Sequence, residues 1–182
     1  MVKRSEKLSV GLVFDDTLDS NDAVSQYVKA LGAWLIGQGH RVRYLVGETK
    51  LDSWAGGKVY SLAKNQTVYF NGNKLSMPLP GSGRRIKQVL ADEDFDILHV
   101  MVPYSPFMAH KVIKLAPSKV AIVGTFHIFP SGWLAKIGAK LLRLWCRSSL
   151  HRFNKIVSVS PAAAAFAAES FKLATPIVPN PV

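Results

Sequence analysis

VAIVGTFHIFPSG, residues 120–132, begins with five residues that have no polar side chain. An unbroken run of apolar and β-branched residues is typical of a strand buried on both faces of a parallel sheet. The run leads into Thr125, Phe126 and His127, so a titratable imidazole directly follows a buried strand. The stretch therefore predicts a parallel sheet with His127 at the carboxyl end of one strand.

The rest of the chain alternates short apolar runs with helical segments. LSVGLVF (residues 8–14) predicts a strand, and a polar loop separates it from residues 23–35, where apolar residues recur at spacings of three and four. Further strands are predicted at RVRYLV, FDILHVMV and KIVSVS, and helices at residues 84–90, 106–115 and 133–150 and at PAAAAFAAESF. We expect an α/β fold, a doubly wound, mostly parallel Rossmann-like sheet with helices on both faces.

The pattern changes between residues 47 and 80. KVYSLA and TVYF predict short strands, and the Asn-Gly pair after TVYF favours a tight hairpin turn. We expect a small antiparallel β-hairpin insertion that contains both runs.

Length and composition favour one compact domain. With 182 residues, 48% of them hydrophobic, the chain can bury a sizeable core. The single cysteine, Cys146, cannot form an internal disulfide, which favours a reducing compartment and by default the cytoplasm. No segment resembles a signal peptide or reaches the roughly 20 apolar residues of a membrane-spanning helix. We expect a cytoplasmic protein, with peripheral contact at the inner face of the cell membrane left open.

The chain is strongly basic, with 23 Lys and Arg against 12 Asp and Glu and a formal charge of +11. This charge favours anionic partners such as phosphorylated small molecules, an acidic lipid surface or nucleic acid. The basic clusters lack the interleaved exposed aromatic residues of a single-strand binding platform, so no nucleic acid is expected.

Several common catalytic motifs do not occur in the sequence. The loop DDTLDSND after the first strand has no glycine, which argues against a dinucleotide fingerprint, and there is neither a P-loop nor a GxSxG elbow. No His or Cys cluster has metal-ligand spacing, so no metal site is predicted. Asp15, Asp16, Asp19 and Asp22 could hold a hard cation, but they favour a solvated loop that ends in a helix cap.

The position of His127 leaves two interpretations equally open. Ligands of doubly wound sheets bind outside the carboxyl ends of the strands, where this imidazole is predicted to lie. It then either faces a ligand, or it caps the next helix or bonds a backbone carbonyl.

Five motifs follow one another along nearly the whole chain. They are SNDAVSQYVKALGAWLIGQGHRVRYLVG, FDILHVMVP, VGTFHIF, IVSVS and IVPNPV. Each is weak alone, but their order and spacing together resemble the amino-terminal domain of the family 4 retaining glycosyltransferases. That family has the GT-B architecture and includes the phosphatidyl-inositol mannosyltransferases.

The resemblance assigns roles to individual positions. His127 matches the histidine that faces the sugar, and is the catalytic candidate, while Thr125 in the same loop would contact the acceptor. Asp22, Ala23 and Val24 stand at the helix start that would contact the donor phosphate, which the helix dipole favours. Two glycines of the family are replaced by Asp22 and Ala23, and a carboxylate would repel a diphosphate unless it caps the helix and faces away. Other matches are Gly39, His40, Val42, Asp96, His99 and Pro103, whereas Met101 and Pro181 depart from the family pattern.

The resemblance also implies how a complete enzyme is organised. A nucleotide-diphosphate sugar is the donor and binds mainly to a carboxyl-terminal domain, and the acceptor binds to the amino-terminal domain. Positive side chains and helix ends stabilise the leaving group without a required metal. Residues 1–175 would be the acceptor-side domain and residues 176–182 the start of the interdomain linker, with the donor-binding domain absent from this chain. The domain alone is expected to bind no cofactor and to be inactive.

A basic stripe runs along the segment WLAKIGAKLLRLWCRSSL, in which Lys136, Lys140, Arg143 and Arg147 recur at intervals of four, three and four. One interpretation packs the apolar residues of this helix on the sheet and leaves the stripe in solvent. The other places the stripe on an anionic membrane surface with tryptophans at the interface. Packing is favoured, because doubly wound folds bury their helices. The apolar residues are Trp133, Ile137, Leu141, Leu144 and Trp145.

A second basic cluster, GSGRRIK, opens a predicted helix. Arg84 and Arg85 at this helix start suit a phosphate on an acceptor, although simple solvent exposure is slightly favoured.

Two functions remain in competition. The first is the acceptor-binding half of a retaining hexosyltransferase, which moves a sugar from a nucleotide sugar to a lipid-linked or phosphorylated acceptor at the membrane face. The second is a non-catalytic basic Rossmann-like module that binds a phosphorylated ligand or an anionic membrane.

Overall fold

The computed structural model describes residues 7–70, 73–79, 81–127 and 133–180. The strands are β1 (Ser9–Phe14), β2 (Arg41–Val46), β3 (Ser53–Trp54), β4 (Gly57–Ser61), β5 (Asn65–Phe70), β6 (Asn73–Pro78), β7 (Ile97–Val100), β8 (Ala121–Phe126) and β9 (Lys155–Ser158). The helices are α1 (Ala23–Gly37), α2 (Gly83–Glu93), α3 (Met108–Leu115), α4 (Trp133–Trp145), α5 (Arg147–Leu150) and α6 (Pro161–Phe166), and a π-helical turn (Ala167–Phe171) follows α6.

Strand β1 lies inside the main sheet, whose order in the described part of the chain is β3-β4-β2-β1-β7-β8-β9. Strands β2 and β4 follow on one side of β1, strands β7, β8 and β9 follow on the other, and all of them pair in parallel. The two-residue strand β3 pairs antiparallel with β4. The direction of winding reverses between β1 and β7, which opens a crevice outside the carboxyl ends of these strands.

Helices cover both faces of this sheet. On one face, Leu12 and other side chains of β1 pack with Val28 of α1. On the opposite face, Val13 packs with Ile86 of α2 and Val112 of α3. The predicted doubly wound, mostly parallel α/β fold is confirmed.

Two local predictions are wrong. KVYSLA was expected in the antiparallel insertion, but β4 joins the main sheet in parallel with β2. Only β5 and β6 form the antiparallel hairpin, and its turn, residues 71–72, lies outside the described residues. The helix expected over residues 133–150 is divided into α4 and α5 at Cys146, whose backbone leaves the helical conformation with φ −85° and ψ 4°. The Cys146 thiol donates to the Tyr104 carbonyl at 3.3 Å.

An aromatic cluster fixes α4, α6 and the π-helical turn against the end of β8. The Tyr104 ring stacks on Phe126 with centroids 5.1 Å apart and lies 5.0 Å from Phe171. Phe166 meets Tyr104 edge to face at 5.6 Å. Since such pairs add to the hydrophobic gain of burial, the cluster is a rigid base for α4 at the carboxyl edge.

The described helices are short, from four residues in α5 to 15 in α1. Within the described ranges, no helix combines the length and apolar character needed to cross a membrane.

Two glycines of α1 should respond in opposite directions to the same substitution. A Cβ at Gly32 would overlap the fully buried ring of Tyr44, whose Cε1 lies 2.6 Å away. We expect Gly32→Ala to lower the free energy of unfolding by about 1–3 kcal/mol, because overpacking outweighs the gain in helix propensity. A Cβ at Gly37 would meet nothing within 4 Å. Gly37→Ala should therefore raise this free energy by up to about 1 kcal/mol.

Urea denaturation of the two variants measures both effects. A Gly32→Ala protein as stable as Gly37→Ala would show that α1 and β2 are not packed as closely as described.

Candidate functional site

A polar cluster lies where β7 and β8 end beneath α1. His99 of β7 places its Nε2 atom 2.7 Å from the Thr125 hydroxyl oxygen of β8. The Tyr27 ring of α1 meets His127 edge to face, with centroids 4.6 Å apart, and lies 6.5 Å from the His99 ring. The parallel register of β7 and β8 thus brings together side chains that are far apart in sequence.

Burial keeps both imidazoles of this cluster neutral at physiological pH. It lowers the pKa of His99 to about 4, and together with the proximity of His99 it lowers the pKa of His127 to about 4. The His127 Nε2 atom is buried without a hydrogen-bond partner in the described part of the chain. A neutral imidazole with an unused ring nitrogen is suited to hydrogen-bond a ligand hydroxyl. The segment that follows, residues 128–132, lies outside the described residues.

Thr125 is fully buried, and its hydroxyl is bonded to His99. Burial raises the pKa of Tyr27, and a hydrogen bond with Thr125 partly offsets this rise. Thr125 therefore holds Tyr27 and His99 in place. Its predicted contact with an acceptor stays a prediction.

A cavity of about 300 Å³ lies at the carboxyl ends of β1 and β7, at the crevice of the sheet. Its lining combines three carboxylates with mainly apolar side chains. Its lining residues are Phe14, Asp15, Asp16, Asp22, Val24, Val102, Tyr104, Ser105, Pro106, Phe107 and Leu142. Helix α1 connects the cavity to the polar cluster, because Val24 lines the cavity and Tyr27 lies one turn further along the helix.

Asp15 is the buried carboxylate of this cavity, and the prediction that it belongs to a solvated loop is wrong. Its side chain accepts hydrogen bonds from the Ser105 hydroxyl and, at 2.7 Å, from the Ala109 amide in α3. Burial nevertheless raises its pKa to about 6, against the effect of these two bonds, and the neighbouring charge of Asp16 adds to the rise. This burial could not be predicted from the sequence, because the hydrogen-bond partners Ser105 and Ala109 lie about 90 positions later in the chain.

Asp22 caps α1. One of its carboxylate oxygens accepts from the Val24 amide at 2.9 Å and from the Ser25 amide at 3.0 Å. Burial alone would raise the pKa of Asp22, but hydrogen bonds from Ser20 and these amides hold it below its ordinary value. The amide of Val24, which was predicted to face a donor phosphate, is therefore occupied. Contact of Asp22, Ala23 and Val24 with the donor stays a prediction, and it requires the carboxylate to move.

Arg84 and Arg85 are exposed at the start of α2 but line different pockets. Arg84 belongs to a cleft of about 740 Å³ between α2 and α3, together with Lys87, Lys111 and Lys114. Arg85 lies beside Glu48 in another pocket. Neither pocket includes a residue of the polar cluster, so an acceptor contact at these arginines stays a prediction.

The favoured packing of the basic helix is wrong for three of its apolar residues. Leu141, Leu144 and Trp145 are exposed, while Ala139 and Cys146 are buried. Ala139 and Cys146, together with the partly buried Leu142, therefore form the face of α4 that meets the core. Arg143 and Arg147 are exposed as predicted, and the side chains of Trp133, Lys136, Ile137 and Lys140 lie outside the described residues.

No metal-binding group is formed within the described ranges, where no three His, Cys, Asp or Glu side chains converge. The four aspartates of the first loop instead accept hydrogen bonds from different partners. Asp19, for example, accepts from the Thr49 hydroxyl at 2.8 Å and the Lys50 amide at 3.0 Å.

Comparison with known proteins relates this arrangement to a family. The family model described as Glycosyltransferase Family 4 matches residues 24–182. The chain belongs to glycosyltransferase family 4. A phosphatidyl-myo-inositol mannosyltransferase of Mycolicibacterium smegmatis is 28% identical over 124 residues, which make up 66% of this chain and 31% of that protein. The resemblance found in the sequence is confirmed.

Solved structures of glycosyltransferases share the fold of this family 4 chain. Sucrose-phosphate synthase from Thermosynechococcus elongatus matches with a TM-score of 0.65 and 13% identity, over 95% of this chain and 48% of that one. An alpha-glucosyltransferase in complex with UDP and a 13-mer DNA containing an HMU base matches with a TM-score of 0.51 and 14% identity, over 84% of this chain and 38% of that one. The chain spans less than half the length of these relatives.

Two substitutions should change the pH dependence of stability in opposite directions. The pKa of His99 is lowered from 6.5 to about 4, so between these values the unfolded chain binds a proton that the folded chain does not, and stability falls as pH drops. The pKa of Asp15 is raised from 3.8 to about 6, so there the folded chain binds the proton first and stability rises as pH drops. Between pH 6.5 and about 4, His99→Gln should lose less stability than the wild type and Asp15→Asn should lose more.

Urea titrations at a series of pH values measure these differences. Parallel profiles for all three proteins would mean that neither side chain is buried as described.

Proposed function

We propose that the chain is the acceptor-binding half of a retaining hexosyltransferase, which transfers a sugar from a nucleotide-diphosphate sugar to a lipid-linked or phosphorylated acceptor at the membrane face. The observation that carries the proposal is the His127 imidazole, neutral and with an unpartnered Nε2 atom, at the carboxyl edge of a family 4 domain. The similarity to a phosphatidyl-myo-inositol mannosyltransferase supports a lipid-linked acceptor.

His127 would bond a hydroxyl of the transferred sugar. Its low pKa makes it a weak base, so its contribution is to position the sugar and to steady charge that develops in the transition state. Tyr27 fixes the imidazole ring from the side of α1. The His99 and Thr125 pair supports Tyr27 in turn.

The donor would bind mainly to a second domain. The similar solved structures are more than twice as long as the part that this chain matches, which supports a second domain. The structure with bound UDP supports a nucleotide donor. The start of α1 would approach the donor diphosphate from the acceptor side, where the helix dipole favours an anion. In this arrangement the Asp22 cap controls whether the amides of α1 are open to the phosphate.

A non-catalytic anion-binding module is the second candidate. It is favoured by the cleft between α2 and α3, which is lined by the cations Arg84, Lys87, Lys111 and Lys114, with no acidic side chain among its described lining residues. Such a cleft attracts a phosphorylated ligand without any need for transfer chemistry.

Removing the His127 imidazole distinguishes the two candidates. In the full-length protein, we expect His127→Ala to reduce kcat/KM for sugar transfer by about 100-fold or more, because one preformed transition-state contact is lost. The exposed His151 at the end of α5 provides the control, and His151→Ala should retain activity. The assay uses a panel of nucleotide sugars with lipid acceptors. Undiminished turnover of the His127 variant would remove this residue from the site.

Exchanging the Asp22 cap tests the donor contact. Asp22→Gly retains most of the cap stability and frees the amides of Val24 and Ser25, so the donor KM should fall several-fold. Asp22→Asn removes the charge but keeps a capping oxygen, so its effect should be smaller. Equal donor KM values for the two variants would argue that the α1 amides do not contact the phosphate.

A further inference from the structure

Three large apolar side chains project into solvent from α4. Leu141, Leu144 and Trp145 are 64%, 70% and 69% exposed. Their spacings of three and four residues place them on one face of the helix. We call this set the apolar ridge. Contiguous exposed apolar surface of this kind marks an interaction site in soluble proteins.

The ridge is bordered by positive charge. Each residue of α4 turns by about 100°, so Arg143 lies between the ridge and the face that carries Ala139, and Arg147 begins α5 two residues after Trp145. Both arginines are exposed, and the segment from residue 133 to residue 150 contains no acidic residue.

The buried face holds α4 in this orientation. Ala139 is 4% exposed and Cys146 is 0% exposed, and the Cys146 thiol donates to the Tyr104 carbonyl at 3.3 Å. Turning the ridge inward would expose these residues and break the packing on the aromatic cluster. The exposure of the ridge is therefore a fixed property of the fold.

An apolar groove connects the ridge to the carboxyl edge of the sheet. It has a volume of about 420 Å³ and is lined by Pro106, Phe107, Gly138, Leu141, Leu142 and Trp145. Three of these residues, Pro106, Phe107 and Leu142, also line the cavity at the carboxyl ends of β1 and β7. A partner or membrane that bound the ridge would therefore lie next to this cavity.

We propose that the apolar ridge inserts into the interfacial layer of an anionic bilayer, with Arg143 and Arg147 on the lipid headgroups. Leucine and tryptophan beside arginine are the residues that interfacial helices use, and the net charge of +11 complements an anionic surface. The inference rests on the proposed function, because a lipid acceptor would then enter the cavity directly from the membrane. It adds to that function the element, helix α4, through which the protein would contact the membrane.

Co-sedimentation with vesicles tests the ridge. The protein should bind vesicles of phosphatidylcholine mixed with phosphatidylglycerol, and the triple variant Leu141→Ser, Leu144→Ser, Trp145→Ser should bind at least about tenfold more weakly. Trp34, 60% exposed near the far end of α1, provides the matched control, and Trp34→Ser should bind like the wild type. Equal binding of the triple variant and the wild type overturns the proposal.

The charge is tested separately. Arg143→Glu with Arg147→Glu should abolish the preference for anionic over pure phosphatidylcholine vesicles, whereas the exposed pair Lys7→Glu with Lys155→Glu should leave most of this preference. Added salt should weaken the preference of the wild type. Nitroxide-labelled lipids should quench Trp145 fluorescence, measured as the difference between the wild type and Trp145→Phe.

The other possible occupants of the ridge have their own signatures. A lower mass of the triple variant in analytical ultracentrifugation would assign the ridge to a second copy of the chain. A melting temperature of the full-length triple variant several degrees below that of the wild type would assign it to another part of the protein. Either result, or no vesicle binding at low salt, overturns the proposal.

Failure of the docking inference can be distinguished from failure of the proposed function. A protein that transfers sugar to a water-soluble acceptor analogue but does not bind vesicles overturns only the docking inference. A protein that binds vesicles through the ridge but transfers no sugar overturns only the proposed function.

Discussion

The burial of strand β1 on both faces is the constraint on which the rest of the structure depends. Leu12 and Val13 are completely buried and point to opposite sides, so the strand requires a helical layer on each side. Gly11 allows β7 to approach, because a side chain there would meet the Leu98 side chain at 2.6 Å. In the order β2-β1-β7, the winding reverses beside β1, and this reversal opens the crevice at the carboxyl ends of β1 and β7.

The charge of the molecule is unevenly distributed. At the carboxyl edge, burial keeps His99 and His127 neutral, and the nearby cavity contributes carboxylates. Two groups of cations lie elsewhere, in the cleft between α2 and α3 and along α4 and α5. Recognition of hydroxyl groups and attraction of anions therefore fall on different parts of the surface.

Features that depend on local periodicity could be predicted from the sequence. Apolar runs located most strands of the parallel sheet, and the position of His127 after such a run located the edge where the polar cluster forms. Pairing between distant strands could not be predicted in the same way. The Asn-Gly turn signal led to the prediction that β4 belongs to the hairpin, whereas its partner is β2. Tyr27 had been indistinguishable from a core residue, since its ring belongs to the apolar stripe of α1 and only its hydroxyl reaches Thr125. The orientation of α4 could not be predicted, because the helix carries more apolar residues than one buried face can hold.

The buried thiol at the junction of α4 and α5 has a practical consequence. Cys146 is the one cysteine of the chain, it is 0% exposed, and burial raises its pKa to about 11. Because thiolates are the reactive species, this side chain should be inert to maleimides at neutral pH while the fold is intact. A cysteine introduced at any exposed position would then react alone, so spin labels and fluorophores can be attached without a cysteine-free background.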